Sequence, residues 1–420
     1  MPALSEIIRA EIARSGPMPF RRFMELALYE PNYGYYASGR AAIGRRGDFV
    51  TSVSVSSLFG RLLAGQFQEM WELLGQPPEF TLVEQGANTG DFAQDVLTAA
   101  AASPAFFAAL RYVIVEPFPA NTARQQTRLA ELVRSGANVT WHAALAELPP
   151  FTGVHFSNEL LDAMPAHLVV FREGAWMERH VVASPAEGEL GFAWQDGPLS
   201  TEALQEILPH LPAVEGYQTE INLEAPAWIE TLARRLQRGY VLVADYGFSR
   251  SDLYLPERIR GTLSCYRQQR RSEEPLAFVG DQDITAHVDF TTLAERAEAS
   301  GLTLTGFTDQ HHFMMGLAKH AFPDATAPLS ADQQRKLRAL ATLMHPSLMG
   351  RAFQFLALAK DAPAVLRGYE FARDPRARLV LTASQSRSHH LFRQVSMPRN
   401  VGSTRHENSR CCDRSGGGIS

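Results

Sequence analysis

Residues 81–90 read Thr-Leu-Val-Glu-Gln-Gly-Ala-Asn-Thr-Gly, and a helix-forming run, Asp91 to Ala102, follows at once. An apolar strand ends in a carboxylate, Glu84, and enters a turn bracketed by Gly86 and Gly90. Strand, tight glycine turn and helix form the arrangement that cradles an adenosine-bearing cofactor at the carboxyl end of a parallel sheet. The same arrangement also serves as a plain packing junction, so the motif needs support from the rest of the chain.

The middle of the turn narrows the choice of cofactor. A dinucleotide site uses G-x-G-x-x-G, whose second glycine admits the pyrophosphate. Here that position is Asn88, the spacing is Gly86-x-x-x-Gly90, and no Lys-Ser/Thr follows to hold a triphosphate. A turn that keeps its glycines but lacks phosphate-reading features suits S-adenosyl-L-methionine, which carries no phosphate.

Downstream, apolar strands alternate with helical segments. Strands are expected at Tyr112–Val115, Val139–Trp141, Gly153–Ser157 and Gly239–Ala244, with a helix near Asn121–Ser135. That alternation indicates βαβ units and a mainly parallel sheet, and right-handed crossovers bring the strand ends to one rim. Between residues 165 and 222 the rhythm breaks into Val169–Phe171, Ala175–His180 and Gly191–Trp194, read as an antiparallel insertion, either a lid or a substrate-facing β element. The expected class is therefore α/β, a Rossmann-like core with an N-terminal helical and loop segment and an inserted β element. Residues 1–75 are read as the segment closing the site, 76–360 as the core, and 384–420, with six arginines against two acids, as a disordered tail.

Composition sets limits on partners. The 420 residues carry a net charge of −5, and no long basic stripe is present, which disfavours nucleic acid. Three cysteines make neither a disulfide framework nor a zinc spacing. Nothing near the start reads as a signal or transit peptide and no run is apolar enough to span a membrane, so a cytoplasmic setting is expected. His311-His312 invites a metal reading, but adjacent residues diverge on a helix and no partner has ligand spacing; no metal is expected.

Four strand ends present polar residues. Glu84 either supports the glycine turn and meets the amino end of the cofactor, or caps a helix. Glu116, ending Tyr-Val-Ile-Val, can accept from both ribose hydroxyls. After the next strand comes Asn158-Glu159-Leu160-Leu161-Asp162, in which two carboxylates share a face if Glu159 to Ala163 makes a helical turn. Such a pair suits a cationic acceptor. Asp245-Tyr246-Gly247 ends a further strand, and Gly247 is read as a turn exposing both side chains. Helix capping is the rival reading for both groups.

Several separated blocks, in order, resemble the MidA-like proteins, a family that includes the mitochondrial complex I assembly-factor arginine methyltransferase and bacterial relatives. They are Leu28-Tyr29-x-Pro31-x-x-Gly34-Tyr35-Tyr36, Gly47-Asp48-Phe49-x-Thr51-Ser52, Val83-Glu84-x-Gly86, Asn158-Glu159-x-x-Asp162-Ala163-x-Pro165, Asp245-Tyr246-Gly247, Arg260-Gly261-Thr262-Leu263-x-Cys265-Tyr266 and Asp283-Ile284-Thr285-Ala286-His287. The resemblance spans roughly residues 20–358. It implies a class I methyltransferase that uses S-adenosyl-L-methionine, with a protein arginine as acceptor and a respiratory complex I subunit as partner. It assigns Glu84, Gly86, Asn88, Gly90, Glu116 and Asn158 to the cofactor, with Asp48, Thr51 and Ser52 closing over it. Glu159 and Asp162 are the expected catalytic acids, and Tyr35, Tyr36, Asp245 and Tyr246 the walls of the acceptor channel. The family usually has a third glycine where this chain has Asn88. That departure keeps a second reading in view, an assembly or scaffold protein that retains the fold with weak or absent catalysis.

Overall fold

Near-continuous burial along the apolar runs marks strands that are covered on both faces, as a parallel sheet between helices requires. The computed structural model describes residues 2–38, 52–184, 191–322, 330–345, 350 and 353–379. In chain order the strands used below are β1 Phe80–Gln85, β2 Leu110–Val115, β3 Val139–His142, β4 Phe151–Asn158, β5 His167–Arg172, β6 Ala175–Ala183, β7 Phe192–Gly197, β8 Gln218–Ile221, β9 Leu236–Phe248, β10 Ser264–Arg267, β11 Arg270–Ser272, β12 Asp283–Thr285, β13 Thr303–Asp309 and β14 Phe353–Lys360. The helices are α1 Pro2–Ser15, α2 Phe20–Tyr29, α3 Leu58–Leu73, α4 Asp91–Ala100, α5 Pro119–Arg134, α6 Glu224–Arg235, α7 Phe290–Ala299 and α8 Gln310–Ala321.

The central sheet runs β13-β14-β9-β4-β1-β2-β3. β1 pairs parallel with β2 and β4, β2 with β3, and β4 with β9. Only β14 is reversed, antiparallel to both β9 and β13. The strand order reverses between β1 and β4, so their carboxyl ends open the crevice where an α/β sheet binds its ligand. On one face, α3 and α4 pack Phe59, Phe67, Phe92 and Val96 against Leu82, Tyr112 and Phe156, with the Phe92 and Phe156 rings stacked at 4.6 Å. On the other, α6 and α7 cover Val83, Val113, Val241 and Val243.

Residues 165–222 form the antiparallel element expected of the insertion. β5, β6 and β8 make one sheet, β7 pairs with β6, and Met18–Pro19 pairs with Val181 and His180 of β6 on the edge opposite β7. α1 and α2 pack against this sheet: Leu4, Ile8, Phe20, Phe23 and Met24 share a core with Leu168 and Val181. The same core takes in Cys265 and Ile284 from a small sheet, β11-β10-β12, that hydrophobic periodicity did not disclose. Its strands have only three or four residues each, too few to display a period.

One turn expected from sequence is absent. β9 does not break at Gly247 but continues to Phe248, where Gly247 and Phe248 pair with Val288 and Asp289. Gly247 is required by close approach: a Cβ there would lie 2.3 Å from the Val288 carbonyl oxygen and 2.7 Å from the Phe290 ring. Gly247→Ala must therefore push two backbones apart, and equilibrium urea denaturation should show a loss of about 3 kcal/mol, at the upper end for overpacking; an unchanged midpoint would refute the contact.

Candidate active site

The turn after β1 holds its shape through left-handed backbone at Gly86 (φ 85°), Asn88 (φ 45°) and Gly90 (φ 82°). Asparagine is among the few non-glycine residues that adopt this region readily, which is how the turn survives the loss of a glycine. Gly90 is the N-cap of α4 and Asp91 occupies the first turn, where a carboxylate complements the helix dipole. No side chain caps that helix.

Gln125, which sequence reasoning passed over, fastens this turn to the next strand end. Its buried amide donates to the Asn88 carbonyl (2.8 Å) and to Glu116 Oε2 (2.9 Å), while its oxygen accepts from Trp141 Nε1 (3.0 Å). Glu116 Oε1 accepts from the Phe118 N–H (3.0 Å) and Asn121 Nδ2 (3.3 Å). The carboxylate at the end of β2 is thus held rigidly by three donors. Burial raises its pKa against the opposing pull of those hydrogen bonds. Oε1 thus accepts twice already, whereas Oε2 accepts once and keeps a second lone-pair direction that a ribose hydroxyl could use.

Glu84 turns toward the α3/α4 face. It is buried, and Tyr112 donates its hydroxyl to Oε2 at 2.6 Å. Burial pushes its pKa up to about 7, the Tyr112 hydrogen bond opposing. Glu84 caps no helix; it is a buried carboxylate beneath the glycine turn.

The acidic stretch after β4 is where structure and expectation differ most. Residues 159–163 make no helical turn. Glu159 sits at φ 53°, a left-handed conformation that costs a β-carbon-bearing residue of order 1–3 kcal/mol and persists only where its surroundings impose it. Those surroundings are specific. The Glu159 N–H donates to the Ala244 carbonyl (3.0 Å), and the Leu160 and Leu161 N–H groups donate to Asp245 Oδ2 (3.1 and 2.8 Å). The Leu161 carbonyl accepts from Asn222 Nδ2 (3.2 Å), that of Asp162 from the Ala286 N–H (2.8 Å), and that of Ala163 from the Tyr29 hydroxyl (2.9 Å). Leu160 in turn lies 3.5 Å from where a Cβ on Gly86 would stand, so the loop packs against the glycine turn.

Asp245 is therefore not a channel wall. It is completely buried, with its second oxygen accepting from the Tyr246 N–H (2.8 Å), and it shapes the loop that carries the other acids. Burial lifts its pKa to about 7 against these backbone hydrogen bonds. Tyr35 is not a wall either: it is buried in the core shared by α1, α2 and the inserted sheet. Tyr36 and Tyr246 do face the acids. Tyr36 donates to Asp283 Oδ1 (2.7 Å) and stacks on Tyr29, and Tyr246 packs on Phe353 at 4.2 Å and His287 at 6.1 Å.

The structure brings together Glu159, Asp162, Asp245 and Asp283. Burial first, then the charge of Asp245, drives the pKa values of Glu159 and Asp162 well above the carboxylate range; Asp283 acts on both, and Glu159 on Asp162. Among the described residues no lysine, arginine or histidine forms an ion pair with Glu159, Asp162 or Asp245. Asn158, at the end of β4, donates Nδ2 to Glu159 Oε1 (3.0 Å), leaving its buried Oδ1 without a partner. An orphaned acceptor beside the glycine turn fits a ligand that brings a donor. Asp283 belongs to a sequence block quoted above but carried no assigned role, because nothing local marks a lone Asp in a three-residue strand.

Ser52 is buried and donates to Gln310 Oε1 (2.8 Å) at the start of α8. Asp48 and Thr51 lie outside the described residues. His311 and His312 are used separately: His311 Nδ1 lies 2.9 Å from the Met344 carbonyl, and His312 Nδ1 lies 2.6 Å from Asp309, the N-cap of α8. Among the described residues no cluster of three or more His, Cys, Asp or Glu side chains could hold a metal ion.

The raised pKa of Glu84 has a thermodynamic consequence. Unfolded, the group titrates near 4.3; folded, near 7, so between these values the native state binds more protons. Its contribution to stability is greatest at low pH and declines as pH rises through that window, by up to about 1.4 kcal/mol per pH unit. Glu84→Gln should remove this slope. Denaturation curves at pH 5 and pH 8, compared between wild type and variant, should converge at the acid end for the two proteins and diverge at the alkaline end in favour of the variant. Parallel pH dependence would contradict the assignment.

Comparison with known proteins accords with this geometry. Residues 62–308 match the model of a family of S-adenosyl-L-methionine-dependent methyltransferases. The chain is 29% identical over 380 residues to the Drosophila melanogaster mitochondrial protein arginine methyltransferase NDUFAF7 homolog, covering 85% of this chain and 84% of the relative. It is 26% identical over 403 residues to the human mitochondrial protein arginine methyltransferase NDUFAF7, covering 87% and 85%. A crystal structure of a Burkholderia thailandensis protein bound to S-adenosyl-homocysteine superposes with a TM-score of 0.80 at 33% identity, covering 89% of this chain and 96% of that one. By the family match over residues 62–308 and this structural likeness, the chain belongs to the S-adenosyl-L-methionine-dependent methyltransferase family.

Proposed function

We propose that this methyltransferase transfers the methyl group of S-adenosyl-L-methionine to the guanidinium of a protein arginine, with Glu159 and Asp162 as the groups that clamp and deprotonate the acceptor. The observation that carries the reading is the cluster of half-buried Glu159 with buried Asp162 and Asp245, which has no cationic partner among the described residues and packs against the glycine turn. Carboxylates crowded in low dielectric lack a counter-charge that a bound cation would supply. The relatives named as protein arginine methyltransferases support the same acceptor.

The bound cofactor supplies a methyl group already activated for displacement. The remaining work falls to the chain. A guanidinium keeps its proton near neutral pH, so the acceptor nitrogen must be oriented and deprotonated as the new N–C bond forms. Two carboxylates can grip the planar fork through paired charge-assisted hydrogen bonds. Their crowding gives them high proton affinity, so one of them can take the proton that the acceptor loses. Arrival of the cation offsets the mutual repulsion of the acids and lets them ionise. In this reading Glu116 and Asn158 hold the ribose and a donor on the cofactor, and Tyr36 and Tyr246 exclude water from the acceptor.

Asn88 keeps the turn's left-handed geometry, which weighs against a fold retained for assembly after loss of catalysis. A respiratory complex I subunit as the protein acceptor, and a cytoplasmic setting, rest on the family resemblance and on composition respectively. Among the described residues no helix is long and apolar enough to cross a membrane. The decisive experiment pairs activity with binding. Glu159→Gln should cut turnover by at least about a hundredfold, the scale expected for losing a general base, while S-adenosyl-homocysteine affinity by calorimetry stays within about twofold. Glu116→Ala should instead lose the cofactor. Equal loss of turnover and cofactor affinity in Glu159→Gln would place that residue in the cofactor site and overturn the acceptor clamp.

A further inference from the structure

The small sheet β11-β10-β12 carries a row of side chains that the chemistry above does not use. Register pairs Arg271 with Tyr266 across β11 and β10, and Tyr266 with Asp283 across β10 and β12. Directly paired residues point to the same face of a sheet, so Arg271, Tyr266 and Asp283 form one line. At its inner end, Asp283 is buried within the acid cluster and accepts from Tyr36. At its outer end, Arg271 is exposed on the edge strand, where all three residues of β11 are exposed. The Tyr266 phenol stands between them and feels Arg271 on one side and Asp162 and Asp283 on the other.

On the hairpin Arg271 lies on the face of Tyr266, opposite to Arg267 and Arg270, which are paired with each other in register. Arg267 pairs with Asp281 at 2.9 Å, and Arg260 with Glu273 at 3.6 Å. Arg271 uses only Nε, donating to Ser264 Oγ (3.1 Å), and its two terminal nitrogens meet no acid among the described residues. A cation pocket flanked by an uncommitted cation selects a ligand of the opposite pattern: a positive group with a negative one a fixed distance away. That distance follows from strand geometry. Two interstrand spacings of about 4.8 Å separate β11 from β12, giving about 10 Å, and an extended chain advances about 3.3 Å per residue. The interval corresponds to about three residues.

We infer that the substrate polypeptide crosses the Arg271–Tyr266–Asp283 row in extended form, its accepting arginine in the acid pocket and an acidic residue about three positions away against Arg271. This inference rests on the guanidinium reading above and adds to it a rule for the acceptor's sequence context. Tyr266 gives the intervening residues an apolar surface to lie on, and the half-buried ring forms the floor between the two charges.

Fluorescence anisotropy tests it with the full chain saturated in S-adenosyl-homocysteine at low ionic strength. The probes are fluorescein-labelled short peptides, each with one central arginine and with Asp, Asn or Lys three residues to either side. Wild type should bind the Asp peptide about fivefold more tightly than the Asn peptide, the upper range for a solvent-accessible ion pair. Arg271→Gln should bring that ratio to about one, and Arg271→Glu should shift the preference to the Lys peptide. High salt should erase the difference in wild type. A wild-type Asp-to-Asn ratio of one, or a ratio unchanged by Arg271→Gln, overturns the inference. An Asp peptide whose arginine is replaced by glutamine separates the two layers. If it binds as tightly as its parent while the Arg271 dependence persists, the guanidinium pocket fails and the Arg271 contact stands.

Discussion

The buried carboxylate of Asp245 is the constraint on which the site is built. One side chain at the end of β9 accepts from the N–H groups of Leu160, Leu161 and Tyr246, and so clamps the segment that follows β4 onto the neighbouring strand. Charge-assisted hydrogen bonds to backbone are among the stronger ones a protein makes, about 1.5–3 kcal/mol each. Together they can hold Glu159 in a backbone conformation it would not choose. Removing water from a carboxylate carries its own penalty, seen in the raised proton affinity of the group. The acid that orders the loop therefore also adds to the field that disfavours charge on Glu159 and Asp162, and architecture and electrostatics have a single source.

A second economy lies in Gln125. One amide links the glycine turn, the acid at the end of β2 and the indole of Trp141 on β3. Three consecutive strand ends are thereby locked in relative position by a side chain on a helix, not on the rim itself. Rigid positioning of this kind matters because a misplacement of about 1 Å at a reacting centre can cost about a hundredfold in rate.

Much of this was legible in the chain. The run from Thr81 through Gly90 announced strand, turn and helix, and β1 and α4 lie where it placed them. Glu116, Glu159 and Asp162 were marked by their position after apolar strands, a signal that survives because strand ends converge on one rim in any parallel sheet. What could not be read is tertiary. Asp245 and Gly247 looked like an exposed turn because Asp-Tyr-Gly is turn-like locally; the actual determinant is the Val288 backbone pressed against Gly247, forty-one residues on. Tyr35 and Tyr36 are adjacent and chemically alike, yet one lies in a core and the other at the acids, because neighbouring positions diverge in direction. Gln125 and Asp283 carry no local signature at all; their roles arise from partners far away in sequence.

The shared core of α1, α2, the inserted sheet and the small sheet bears on how the molecule comes into being. Leu4 and Phe20 pack against Leu168, Val181, Cys265 and Ile284. Ile284 follows Leu4 by 280 residues, and at about 5–20 residues per second its synthesis trails by roughly 15 to 60 s. Until Leu168 and Val181 are made the first two helices present an apolar face with none of these partners, and until Ile284 is made the cover is incomplete. The nascent chain must keep them from self-association until the insertion and the 264–285 segment arrive. Tyr29, which ends α2 and holds the Ala163 carbonyl, can take up its post only after that docking is complete. A chain stalled before residue 283 would hold the glycine turn's sequence without Asp283 of the acid cluster and without β13 and β14, which complete the central sheet beside β9.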